Sequence, residues 1–159
     1  MTSRPKGTPA SRSRVFWILN PFLRFMLHLP IKRMQERLLL LSFTGRKSGK
    51  HITLPLSYAE DGSGSLLIPG GGAWKLNLAP GRPIRVRLRG KALAADPEVI
   101  WDATEIERLL PCLFKHNPRA EDFEGVSIAS DGKPDRAKLA QAIEDGFAIV
   151  RLRLKPDAR

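Results

Sequence analysis

The chain has 159 residues, 42% hydrophobic and 27% charged, an ordinary globular composition and length for one domain that buries its own core. Lys and Arg number 27 against 16 Asp and Glu, giving a net charge of +11 and a pI near 10.5, which favours an anionic partner: a polyanionic cofactor, an acidic membrane surface or nucleic acid. The single cysteine, Cys112, excludes an intrachain disulfide, points to a reducing cytosol, and reads as a buried small apolar residue rather than a nucleophile.

Residues 1–14 (MTSRPKGTPASRSR) are basic and rich in Pro, Gly and Ser, which predicts a disordered arm ahead of a single domain over 15–159. Residues 15–29 (VFWILNPFLRFMLHL) predict an amphipathic helix. Asn20-Pro21 suits its start, Pro30 follows its end, and Asn20, Arg24, His28 and Lys32 form a narrow polar stripe. The stretch is too short and too interrupted to span a membrane comfortably, and it lacks a signal-cleavage pattern. Two readings stand: docking on the domain's own core, or lying in a membrane interface.

The central stretch, residues 38–58 (LLLLSFTGRKSGKHITLPLSY), divides into an apolar strand, a basic turn and a second strand with Ile52, Leu54 and Leu56 at period two. Pro55 marks that second strand as an edge or a bulge. Three cations (Arg46, Lys47, Lys50) and two hydroxyls (Thr44, Ser48) fall within seven residues beside Gly45 and Gly49. Such a turn can hold a phosphate-sized anion, although a Gly- and Lys-rich hairpin can equally be a soluble turn. It is not a nucleotide P-loop, because three residues separate its glycines where that motif needs four.

A turn over residues 60–64 leads to a third strand at 65–68. Pro69-Gly70-Gly71-Gly72 is a second place where backbone can approach a ligand, and residues 73–79 predict one helical turn. Residues 84–88 and 91–95 predict a hairpin about Arg89-Gly90. Arg85, Arg87 and Arg89, like Arg151 and Arg153, alternate with apolar residues; such rows either bind nucleic-acid phosphates or form the solvated exterior of a sheet. Thr104 to Glu107 fits a capping box for a helix ending near Phe114, residues 134–145 predict a second helix closed by Gly146, and residues 147–154 a last strand. About six strands and two or three helices make a mainly β, α+β chain: a small antiparallel barrel flanked by helices.

No nucleophile–base–acid spacing is present, and His28, His51 and His116 are scattered without metal-ligand spacing. An enzyme of this composition would take its reactivity from a cofactor, such as a hydride carrier.

The segments LLLLSFTGRKSGK (38–50), TLPLSY (53–58) and AWKLNLAPGRPIRVRLRG (73–90) resemble the deazaflavin-dependent nitroreductase and quinone reductase family, relatives of the pyridoxamine-phosphate-oxidase-like split β-barrels. The resemblance implies a split β-barrel that passes a hydride from coenzyme F-420 to a quinone-like or other conjugated acceptor, with FMN as the alternative cofactor. It implies that Arg46, Lys47, Ser48, Gly49 and Lys50, with His51 and Thr53, hold the cofactor's phosphodiester and polyglutamyl tail. Gly71, Gly72, Trp74, Lys75 and Asn77 would line the neighbouring segment. Residues 15–29 correspond to a helix that in some relatives associates with the membrane, and split barrels often pair through sheet faces, so peripheral membrane association and a homodimer are further expectations. Nucleic acid is the less favoured partner. Many relatives carry Arg where Ile52 stands, and well-studied ones supply C-terminal tyrosines that residues 117–123 here lack.

Overall fold

In the computed structural model the described residues are 38–70, 72–82, 84–116, 126 and 130–156. The arm expected at residues 1–14, the helix expected at 15–29, Gly71 and residues 117–123 lie outside them.

The described strands are β1 (Leu38–Thr44), β2 (His51–Ser57), β3 (Ala59–Glu60), β4 (Ser65–Pro69), β5 (Ile84–Leu88), β6 (Lys91–Ile100) and β7 (Ile149–Leu154). A 3₁₀ turn at Ala73–Asn77 and two helices, α1 (Ala103–His116) and α2 (Arg136–Glu144), complete the elements. All pairings are antiparallel, in the order β2-β1-β5-β6-β7-β4-β3.

Alternation along the strands sends side chains to two cores. Leu39, Leu41 and Phe43 of β1, Val86 of β5, Leu66 and Ile68 of β4, and Val150 and Leu152 of β7 share one buried cluster. Strands β1 and β4 are far apart in the sheet order, so this shared core requires the sheet to curl on itself into a half-barrel. The opposite side chains of β4 and β7, Leu67 and Ile149, join Ile106, Leu110 and Leu113 of α1 and Leu139 of α2 in a second core. The expectation of an antiparallel barrel flanked by helices holds.

The long strand β6 joins the two halves of the sheet. Its first half pairs with β5 and its second with β7, and Ala95 faces both Ile84 and Leu154. The apolar pattern predicts an end at Ala95, because Asp96-Pro97-Glu98 breaks it. The acids instead sit opposite arginines, Asp96 against Arg153 and Glu98 against Arg151, on the face that looks toward α1. Strand β2 is an edge, as Pro55 indicates.

One local reading needs correction. The N-cap of α1 is Asp102, whose carboxylate accepts from the Glu105 N–H at 2.8 Å, rather than Thr104, which lies inside the helix. The β5–β6 turn forms at Arg89-Gly90 as expected, with φ of 49° and 82°, the geometry of a tight hairpin turn. Arg89 occupies this left-handed position while its guanidinium reaches Glu60 at 2.8 Å. The closure of α2 follows the reading: Gly146 has φ of 97°, with N–H bonds from Gly146 to Ile143 and from Phe147 to Ala142.

Candidate functional site

The β1–β2 turn closes on itself. Gly45 N–H donates to the Lys50 carbonyl at 2.8 Å, Gly49 N–H to the Gly45 carbonyl at 2.9 Å, and Lys50 N–H to Ser48 Oγ at 3.2 Å. Gly49, at φ of 64°, makes the left-handed bend that brings the chain back into β2. A fourth donor leaves the turn: Arg46 N–H donates to Asn77 Oδ1 at 2.9 Å. Four of the turn's amides are thus satisfied inside the protein, and Arg46, Lys47, Lys50 and His51 present exposed side chains around them.

Asn77 is the last residue of the 3₁₀ turn, and its Nδ2 donates to the Trp74 carbonyl at 2.9 Å. One side chain therefore clamps both sequence-predicted segments, which lie 31 positions apart at the Arg46–Asn77 bond. Trp74 packs half-buried against the barrel core. Lys75 takes a different direction from its neighbours. Only 3% exposed, it donates from Nζ to the Gly72 carbonyl at 2.6 Å and sits 5.4 Å from the centre of the Trp101 ring. Leu76, on the same turn, is 46% exposed. Thr53 lies on the outer face of β2, buried, with its hydroxyl 2.9 Å from Ser42 Oγ. Ser48 and Gly49 stand exposed in the turn, and Gly72 opens the 3₁₀ segment with φ of 86°.

A cavity of about 400 Å³ opens between the two segments, lined by Ser42, Thr44, His51, Asn77, Arg82 and Arg85 among others. Arg82 and Ser42 line this cavity and are residues that sequence reasoning misses. The legible signal is the alternation of Arg85 and Arg87 on β5, which register places across β1 from Thr53: Ser42 faces Thr53 on one side and Arg85 on the other.

Charge is segregated. Arg46, Lys47, Lys50, Arg82, Arg85 and Arg87 make no ion pair among the described residues. The other arginine row is the reverse. Arg151, with its side chain 14% exposed, contacts Glu105 at 2.8 Å, Glu98 at 3.2 Å and Asp61 at 3.9 Å, and Arg153 pairs with Glu98 at 3.0 Å. That row is neutralised by its own carboxylates, so two arginine rows that look alike in the sequence differ in their pairing.

Cys112 is half-buried, with Sγ 3.2 Å from the Glu60 carbonyl, and burial pushes its thiol above the ordinary value, as expected for a packing residue. Among the described residues no group of three His, Cys, Asp or Glu is placed to hold a metal, and no helix is long and apolar enough to cross a membrane.

No protein-family model and no curated protein matches the chain. Solved structures do. One, reported as "Structure of F420-H2 Dependent Reductase (FDR-A)", superposes with a TM-score of 0.50 over 74% of this chain and 94% of its own, at 16% identity. The chain has the split-barrel fold of that reductase. A second, described as a domain-swapped dimer, superposes with a TM-score of 0.52 over 88% of this chain and 99% of its own, at 14% identity. The fold implied by the resemblance of residues 38–58 and 73–90 is thus present.

Proposed function

We propose that the chain is an oxidoreductase that binds reduced deazaflavin coenzyme F-420 and directs its hydride to a quinone-like or other conjugated acceptor. The observation that carries this reading is the Arg46–Asn77 bond, which sets a cluster of cations without ion pairs among the described residues beside the Trp74 segment on a split barrel. The residues suit such a group: its phosphodiester and acidic tail need cations without competing carboxylates, and its flat ring needs an apolar surface near backbone polar groups. The name of the FDR-A neighbour points the same way.

When bound, the deazaflavin ring supplies the hydride. The chain supplies the rest. Arg46, Lys47, Lys50 and His51 attract and orient the anionic arm. Ser48 and Thr53 add hydroxyls, Gly49 allows close approach, and Trp74 offers a flat half-buried face near Gly72. Asn77 holds the two segments in register, and Lys75 fixes the Gly72 carbonyl from beneath. Leu76, exposed on the same turn, suits an apolar acceptor. A second copy of the chain is a proposed partner, on the strength of the domain-swapped neighbour. Residues 15–29 are the proposed peripheral contact with the inner face of a membrane, where quinones reside, in a cytosolic enzyme.

Titration of the purified protein with F-420, followed by cofactor fluorescence, tests the reading. Saturable binding at micromolar concentration or tighter is expected. A yellow protein that retains FMN and ignores F-420 would overturn it.

A further inference from the structure

We infer that a separate cavity, where α1 and the β3–β4 turn meet β7, is a binding site for a small neutral polyhydroxyl ligand the size of a monosaccharide or cyclic polyol. It shares no residue with the cavity beside the basic turn, and the inference does not depend on the deazaflavin reading.

The cavity holds about 290 Å³, between Asp61 and Ser65 of the β3–β4 segment, Arg108 and Leu109 of α1, and Arg151 and Arg153 of β7. Local bonding leaves a particular set of polar atoms unspent there. Asp61 Oδ1 takes every bond from the turn: the Ser63 N–H at 2.9 Å, the Ser63 hydroxyl at 2.6 Å and the Ser65 N–H at 3.2 Å. Asp61 Oδ2 takes none among the described residues, and Arg151 Nε stands 3.9 Å from it, too far for a hydrogen bond. Arg151 commits Nη1 to Glu98 and Nη2 to Glu105, which leaves its Nε–H unused. Ser65 is only 8% exposed, yet its hydroxyl has a single contact, 3.4 Å from the Ser63 hydroxyl and beyond the ordinary O–H···O range.

This unspent set selects the ligand. Asp61 Oδ2 needs a donor and Arg151 Nε–H needs an acceptor, 3.9 Å apart. A hydroxyl is both at once, and an oxygen about 2.9 Å from each bridges the gap. A carboxylate or phosphate has nothing to give Asp61 and is repelled by it, while an ammonium has nothing to accept from Arg151. Charge leads to the same answer. Arg108, Arg151 and Arg153 are balanced by Asp61, Glu98 and Glu105, so neither sign is in excess around the cavity. Arg108 and Arg153, each 64% exposed at the side chain, pair with one acid apiece and keep further N–H groups for other ligand hydroxyls. Leu109 adds an apolar patch for the C–H face of a ring, and the volume lies at the small end of ligand sites, enough for about one sugar ring.

The test titrates the isotope-labelled full chain with D-glucose, myo-inositol and xylitol, and follows by NMR the Arg151 Nε–H signal and the amides of Ser63 and Ser65. D-glucuronate, D-glucosamine and inorganic phosphate serve as charged comparisons. At least one neutral polyol should saturate these signals at millimolar concentration, and each charged probe should bind roughly 3-fold or more weakly than it. Ser65→Ala removes a donor and no internal bond of ordinary length, so it should weaken polyol binding about 3- to 10-fold and leave the thermal melt unchanged. Should that variant melt early, Arg108→Gln on the exposed rim is expected to give the same loss. Asp61→Asn keeps Oδ1 for the turn but tips the balance to positive, so glucuronate should gain on glucose. Signals unmoved by every neutral polyol up to about 100 mM would overturn the site and leave the cavity to water. Tighter binding of a charged probe than of any neutral one, or wild-type affinity in a folded Ser65→Ala, would overturn it too. Coenzyme F-420 is absent from every arm, so failure here and failure of the cofactor reading are separate results.

Discussion

The Arg46 amide and the Asn77 side chain, 31 positions apart, meet at 2.9 Å, and this bond joins two separate sequence segments into one candidate site. The other end of the same side-chain amide, Nδ2, holds the Trp74 carbonyl. Removing it with Asn77→Ala should lower stability by about 1 kcal/mol, read as a shift in the urea midpoint. It should weaken F-420 binding more than that loss alone accounts for, because the turn then moves independently of Trp74. Asn77→Asp keeps an acceptor for the Arg46 N–H but sets a carboxylate among the cations. That variant should retain more stability than Asn77→Ala and bind the anionic ligand no better.

Gly70 is demanded by packing. Its N–H donates to the Ala148 carbonyl at 2.7 Å, and a Cβ at this position would lie 2.7 Å from the same backbone oxygen. Gly70→Ala should therefore cost roughly 1–3 kcal/mol, measured by chemical denaturation. Gly45→Ala should cost less, because its Cβ would meet the Ser48 hydroxyl and the Ile52 methyl, side-chain ends that can shift.

Acid should loosen the contact between α1 and the sheet. Hydrogen bonds from Arg108 and then from Arg151 hold Glu105 down at about 2, below its ordinary value of 4.5. Burial alone would raise Asp61, but hydrogen bonds from Ser63 and Ser65 and the charge of Arg151 leave it below its ordinary 3.8. Both folded-state values are depressed. Their contribution is therefore complete above the unfolded-state values and is lost as pH falls from about 4.5 toward about 2. Urea midpoints should decline through that window in the wild type and decline less in Glu105→Gln, which starts from a lower stability at neutral pH. Parallel curves for the two proteins would remove Glu105 from the effect.

Much of the fold is legible in the sequence because the apolar run of β1, the period-two alternation in β2, β5 and β7 and the Arg89-Gly90 turn are local signals. The extension of β6 through Pro97 is not, since its justification lies in Arg151 and Arg153, more than 50 positions away. The same distance hides the difference between the two arginine rows: the acids of β6, of α1 and of the β3–β4 turn reveal that Arg151 is a structural hub. At the site, the clustering of Arg46, Lys47 and Lys50 is readable, as is the Trp74 to Asn77 segment. The inward turn of Lys75 is not, because it depends on the Gly72 carbonyl and on Trp101. Nor can sequence order show that four of the turn's own amides are bonded within the protein.

The central claim is that the cationic turn grips the acidic arm of a redox cofactor. It is tested most directly by F-420 fluorescence titration of an Arg46→Gln, Lys47→Gln double variant beside the wild type. Both side chains are exposed and neither makes an ion pair among the described residues, so the thermal melt should stay unchanged. Losing two charge-assisted contacts should weaken binding roughly 10- to 100-fold at low salt, with a smaller effect at high salt. An unchanged dissociation constant in the folded variant would contradict the account.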